Sequence, residues 1–314
     1  MKKGIISLGE ALIDFIPLDP DNITYQKSPG GAPANVAVGV ARLQAKSTFI
    51  GKVGNDVLGR FLQKTLADYG VDTSSMLLTD DIRTGVVFVT LENGERSFDF
   101  YINPSADRFL REEEIDEKLF DENKILHFGS ISLISEPTRS ATIKAVKLAK
   151  EKGLTISYDP NLRLGLWDSE ESAKEQIISM LPYADILKIS EEELEFITGE
   201  KDIEKGAQKL AAYEIPLLLV TLGSEGSYIF TGEGHQHVPA RKVTTVDTTG
   251  AGDAFVSGIL YMANEWEGDI SAIMLEKAVE MATFASVSGS LAASEKGAMT
   301  ALPSLEQVQS ILAK

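Results

Sequence analysis

Val246-Asp247-Thr248-Thr249-Gly250-Ala251-Gly252-Asp253-Ala254-Phe255 decides how the rest of the chain is read. Two threonines precede a Gly-Ala-Gly turn, a carboxylate follows at once, and the apolar stretch 254–262 predicts a helix. The start of a helix offers unpaired backbone N–H groups and the positive end of the macrodipole. Glycines let such a backbone come close to a phosphate. Asp253 does not serve to bind an anion, because it would repel one. Its place beside an anion site makes chemical sense when it accepts a proton from a hydroxyl that attacks a phosphoryl group. The plainer alternative is an acidic residue in a first helical turn, where the dipole favours it.

Ser28-Pro29-Gly30-Gly31-Ala32-Pro33-Ala34-Asn35-Val36-Ala37 forms a second informative segment, near the start of the chain. Asp159-Pro160-Asn161-Leu162-Arg163 and Thr221-Leu222-Gly223-Ser224-Glu225-Gly226 lie between the two. In this order the four segments resemble the signatures of the ribokinase-like (phosphofructokinase-B type) carbohydrate kinases, and the similarity runs over residues 5–303. The resemblance implies a three-layer α/β/α fold with a mostly parallel central sheet. It also implies a single domain over 1–314, with a small β lid from about 12–28 and 84–104. Within the family the chain is most similar to bacterial fructokinases. That implies ATP-dependent phosphorylation of D-fructose to fructose 6-phosphate with Mg²⁺, K⁺ as a further cofactor, and a homodimer paired through the lid.

Carried over position by position, the resemblance gives each residue a role. Asp253 is the general base, and the backbone of Gly250, Ala251 and Gly252 forms the anion hole. Asp14, Gly30, Gly31 and Asn35 hold sugar hydroxyls, for which Asn supplies both donor and acceptor. Asp14 as a solvated loop residue and Asn35 as a helix-cap residue are the simpler readings. Arg163 approaches the sugar or the phosphates, or lies on the surface. Phe98 and Phe100 alternate onto one strand face and cover the sugar, or pack within the lid or a dimer interface. Lys188, Ser190, Glu193, Thr221, Gly223 and Gly226 serve the nucleotide. Ser190 stands where the family commonly has Asn, and Glu193 acts on Mg²⁺ through water or simply begins a helix. Ala285, Ser288 and Gly289 let adenine pack closely, or let two helices do so. Asp247 and Thr249, with carbonyls near Ala292 and Gly297, match the K⁺ positions.

The 314 residues suffice for a large α/β domain. Cysteine is absent, which excludes disulfides and thiol chemistry. The N-terminus reads as no signal peptide, and no run reaches membrane-spanning length, so the expected setting is the cytoplasm. A formal net charge of −17 argues against nucleic acid or an anionic membrane as partner. It also requires local positive groups for ATP, and Lys188, Arg163 and a helix N-terminus are the candidates. Apolar strand patterns at 5–8, 49–53, 125–128, 155–158, 186–189, 217–221 and 228–230 alternate with helical patterns at 34–43, 56–69, 137–152 and 279–292. That alternation predicts a parallel sheet. Residues 85–91 and 95–101 flank Asn93-Gly94, a strong hairpin signal, and with 14–17 and 24–26 predict a separate small sheet.

No Gly-x-x-x-x-Gly-Lys-Ser/Thr loop and no Gly-x-Gly-x-x-Gly after a strand is present, which excludes P-loop and dinucleotide readings. His127 reads as a core residue, and His235 and His237 as members of a surface strand. Rival substrates are 2-keto-3-deoxygluconate, for which Arg163, Arg96 and Arg108 are available, and aminoimidazole riboside. A catalytically silent sugar sensor is the non-enzymatic rival.

Overall fold

A computed structural model describes residues 2–313 except 93 and 94, and leaves out the side chains of 92–96. Among the described residues, thirteen strands fall into two sheets. They are β1 Ile5–Leu8, β2 Leu12–Pro17, β3 Tyr25–Gly30, β4 Ser47–Gly54, β5 Met76–Thr79, β6 Val86–Glu92, β7 Glu95–Tyr101, β8 Ile125–Phe128, β9 Thr155–Tyr158, β10 Ile186–Ser190, β11 Leu217–Thr221, β12 Ser227–Thr231 and β13 Gly234–Val238. The larger sheet has the order β13-β12-β11-β10-β9-β8-β1-β4-β5. Every neighbour is parallel except β11/β12 and β12/β13.

Alternate side chains of the central strands go to opposite faces, as a pleated strand requires. Ile6, Leu126, Phe128, Ile156, Leu187 and Val220 pack with Ala145, Ala173, Ile177 and Leu194 of the helices on one face. Ile5, Ile125, Ile186, Leu217 and Leu219 pack on the other with Val36, Ile259, Met281 and Ala285. The result is three layers with both sheet faces covered, which explains why these strands are short continuous apolar runs.

The second sheet has the order β3-β2-β6-β7, antiparallel but for β2/β6. Its hairpin β6/β7 is formed, while the Asn93-Gly94 turn itself lies outside the described residues. Phe15 and Phe88 stack at 4.9 Å on one face of this sheet, where Lys27 also covers the Phe61 ring of the helix Val57–Asp68 at 3.7 Å. The other face carries Asp14, Val87 and Phe100 in register. β5 was not foreseen from the sequence, because its half-exposed Met-Leu-Leu-Thr run is too short for a periodic signal.

Candidate active site

The deciding stretch begins its helix earlier than the apolar pattern suggests, at Ala251, so Asp253 lies within the first turn of Ala251–Glu265. Gly250 is the N-cap at φ 78°, a left-handed conformation that favours glycine, and no side chain caps the helix. The Ala251 amide already donates to the Thr248 carbonyl at 3.1 Å. The Ala251 amide is thus engaged within the turn itself. A Cβ built on Gly252 would lie 3.8 Å from Lys188 Nζ, which puts the ammonium beside the turn.

Asn35 Nδ2 donates to Asp253 Oδ2 at 2.8 Å, joining two segments far apart in sequence. Asn35 lies on the helix Ala32–Arg42, entered from Gly31 at φ 102°. A Cβ at Gly31 would come within 2.4 Å of the Glu10 carbonyl oxygen, and one at Gly30 within 2.2 Å of Asp14 Oδ2. Only the paired glycines let Asp14 and the helix start occupy this space. Burial pushes the Asp253 carboxyl up to about 6, against the opposing hydrogen bond from Asn35. Asp14 also rises to about 6, through burial and the charge of Asp253. A base poised near neutrality suits proton removal from an alcohol.

On the sheet side, Lys188 Nζ lies 3.1 and 3.3 Å from the carboxylate oxygens of Asp159. Burial disfavours the ammonium, but Asp159 and Glu193 outweigh it and hold the Lys188 pKa above its ordinary value. A cavity of about 700 Å³ opens here, lined by Asn161, Leu162, Arg163, Lys188, Ser190 and Glu193. It lies at the carboxyl ends of β9 and β10, where ligands bind in open parallel sheets. Thr221 ends β11, and Gly223 and Gly226 bracket the turn into β12. Ser190 makes a capping box with Glu193, a role that Asn at this position would also fill. Both Glu193 oxygens are engaged by backbone amides, from Leu162 at 2.7 Å and Ser190 at 2.8 Å.

Asp247 and Thr249 do come together with the 293–297 segment. Asp247 Oδ1 accepts from the Thr249 amide and hydroxyl at 3.0 and 2.7 Å, and Oδ2 from the Gly297 amide at 3.2 Å. The amides of Val246 and Asp247 donate to the Ala293 carbonyl at 2.9 and 3.3 Å. Carboxylate and carbonyl oxygens gathered in one loop pair are the donor type a hard cation takes, so these residues fit potassium.

Other candidates take structural places. Ala285 is fully buried, and a Cβ on Gly258 would come within 2.7 Å of its Cα. Ser288 is buried in the same helix, and a Cβ on Gly289 would meet the Ala251 carbonyl at 3.1 Å. The small residues of Leu275–Ala293 thus let two helices approach closely. His127 is a core residue bonded to Ser157, and burial pushes its pKa down to about 4. His237 and His235 lie on β13, His235 paired with Glu204. Phe98 and Phe100 stack at 6.5 Å on the face that carries Asp14. Arg108 keeps a buried Nε without a partner among the described residues, and the side chain of Arg96 lies outside them.

Sequence reading assigned no role to Asp159 or Glu10. Glu10 is buried where β1 passes into β2, and its Oε1 accepts the Ala32 amide at 3.1 Å. The only signal was a carboxylate interrupting an apolar run. Burial, with the charges of Asp107 and Asp253, pushes Glu10 from 4.5 up to about 8. The folded state holds the neutral acid, so its contribution to stability is full below 4.5 and is lost as pH rises through about 8. Glu10→Gln, neutral at every pH, should therefore gain on the wild type between 4.5 and 8. The gain is at most about 1.4 kcal/mol per pH unit. Urea unfolding of both proteins at several pH values measures it, and a pH-independent difference would refute the assignment.

Comparison with known proteins agrees with this geometry. The model of the pfkB family carbohydrate kinases matches residues 2–305. A protein described as probable fructokinase-6, chloroplastic, from Arabidopsis thaliana is 48% identical, covering 99% of this chain and 82% of its own. A double mutant of fructokinase from Vibrio cholerae O395, in its fructose-, ADP- and potassium-bound form, superimposes with a TM-score of 0.90 at 41% identity, covering 99% of each chain. Fructokinase from Xylella fastidiosa with bound ATP gives a TM-score of 0.94 at 35% identity, covering 100% of this chain and 99% of that one. The similarity runs along the whole length, and the chain belongs to the pfkB family of carbohydrate kinases.

Proposed function

We propose that this enzyme transfers the γ-phosphoryl group of ATP to the 6-hydroxyl of D-fructose. The observation that carries the reading is Asp253, partly buried, bonded to Asn35 and raised to about 6, at the uncapped start of a helix beside Lys188. The oxygen–phosphorus bond to the sugar forms as the bond to ADP breaks, and the hydroxyl proton passes to Asp253. Asp14 and Asn35 orient the sugar, and Phe98 and Phe100 cover it as the small sheet closes, keeping water away. Lys188 and the amides of Gly250 and Gly252 stabilise charge on the transferring group. Asp247 and the Ala293 carbonyl would hold potassium, and magnesium bound with ATP would supply neutralisation of phosphate charge. The fructose preference is supported by the fructokinase relatives.

Exposed Tyr101 on β7 and Ile23 in the loop between β2 and β3 support a homodimer paired through the small sheet within a single-domain, cytoplasmic enzyme. No helix among the described residues is long and apolar enough to cross a membrane.

A coupled ADP-release assay with fructose, 2-keto-3-deoxygluconate, ribose and aminoimidazole riboside tests the substrate. Fructose should be turned over best, and kcat/KM should fall as pH drops through about 6, because protonated Asp253 cannot accept the proton. Preference for another sugar would sink the fructose assignment. Turnover that is level down to pH 4 would sink the assigned base, and sedimentation of the same preparation as a monomer would sink the dimer.

A further inference from the structure

We infer that Glu10 is a positioning residue for Asp253, acting through the first turn of the helix that carries Asn35; this rests on Asp253 as the base. Helix Ala32–Arg42 begins at Gly31, which has no side chain to cap it. Glu10 supplies the missing acceptor from another segment, its Oε1 taking the Ala32 amide at 3.1 Å. The two segments also touch through their backbones. A Cβ on Gly31 would lie 2.4 Å from the Glu10 carbonyl oxygen, and one on Gly9 would lie 2.5 Å from Pro33 Cγ. The start of the helix is therefore seated directly on the turn from β1 to β2. Asn35 belongs to that same start, since its amide donates to the Gly31 carbonyl at 2.8 Å. Its Nδ2 donates to Asp253 Oδ2, also at 2.8 Å. A shift at Ala32 is thus a shift of the donor on the base.

Glu10 fills this place as a neutral acid. It is 4% exposed. Its Oε2, Asn35 Oδ1 and Asp107 Oδ1 are buried acceptors without a partner among the described residues. A proton on Glu10 turns one of these acceptors into a donor, whereas an ionised Glu10 adds none. The charged groups that act on it are themselves acids, Asp107 in the turn Ala106–Phe109 after β7 and Asp253 at the start of Ala251–Glu265. Arg108 acts on Asp107, and Lys52 of β4 is engaged by Glu114 and the Phe109 carbonyl. Burial and the two acids hold the proton on Glu10 up to about 8. Above that, Glu10 brings a further negative charge towards the base and the transferring phosphoryl group, where negative charge is already developing.

Glu10→Gln and Glu10→Ala separate charge from position. Gln keeps an acceptor for the Ala32 amide and stays neutral, whereas Ala removes the acceptor. In the wild type, kcat/KM with the best sugar should fall as pH rises through about 8, and this alkaline limb should be gone in Glu10→Gln. In Glu10→Ala, kcat/KM at neutral pH should fall about 10- to 100-fold. Its acidic limb should move to higher pH, because the Asn35 hydrogen bond that lowers the Asp253 pKa is weakened. Asn35→Ala should move that limb the same way, and the double variant should move it no further.

An alkaline limb that is missing in the wild type or persists in Glu10→Gln, or an acidic limb that stays in place in Glu10→Ala, would each overturn the inference. Absence of turnover in the wild type would instead refute the parent reading. NMR titration of the Asp253 carboxyl carbon then still decides the role of Glu10. An upward shift in Glu10→Ala and Asn35→Ala alike upholds it, and an unshifted titration in Glu10→Ala overturns it. Should Glu10→Ala not fold, Glu10→Leu fills the space without an acceptor, and the same readouts apply.

Discussion

Asp253→Asn should lower kcat by about 10²–10⁴ while leaving sugar affinity close to that of the wild type. The two halves of this result have separate causes. Loss of rate follows because an amide cannot take the hydroxyl proton as the phosphoryl group transfers. Retained affinity follows because the amide oxygen can still accept from Asn35 Nδ2, now 2.8 Å from Asp253 Oδ2, and because Asp14 and Asn35 are untouched. Folding stability should hold or rise at neutral pH, since the buried carboxylate disfavours its own ionisation and the amide carries no charge. Single-turnover kinetics with calorimetry of sugar binding checks both halves. A variant with nearly full kcat would remove Asp253 from the chemistry and return it to the role of a first-turn acid.

Lys188→Met should damage both stability and turnover, and the two losses should separate in a double variant. Lys188 and Asp159 are 12% and 6% exposed in their side chains and 3.1 Å apart. Removing the lysine leaves the buried Asp159 carboxyl without its cation and with Glu193 nearby. Breaking one partner of a buried pair typically costs about 3–5 kcal/mol. Asp159→Asn in the same chain removes the stranded charge and should recover most of that stability. Activity should not recover, because the ammonium beside Gly252 would still be missing, and one stabilising donor is worth about 10²–10³ in kcat. Guanidinium unfolding and steady-state kinetics on the three proteins decide it. Activity that returns together with stability would show that Lys188 only balances Asp159.

The same pair shows why a chain with net charge −17 can accept a nucleotide. The global field is unfavourable, but lysine and the uncapped helix start are concentrated at one place with low exposure, where charges act strongly. Arg163 adds its charge from the loop held by Glu193.

The sequence alone determined the layers and the helix start that carries Asp253. Ile125–Phe128, Thr155–Tyr158 and Leu217–Thr221 fall where the apolar runs placed them, because a strand covered on both faces has no polar side to blur its pattern. Gly250 and Asp253 were legible as a helix start because a left-handed cap glycine and a first-turn acid are local features of consecutive residues. Tertiary structure decided what depends on segments distant in sequence. Burial of Glu10 against Ala32, the Lys188–Asp159 pair and the Glu193–Leu162 bridge each join chain segments that no local periodicity relates. The close approach of Gly258 to Ala285 in Leu275–Ala293 likewise joins two helices distant in sequence. A local pattern fixes which face of an element is apolar. Which polar groups meet in the space between elements is set only when the layers close and every buried donor and acceptor must find a partner.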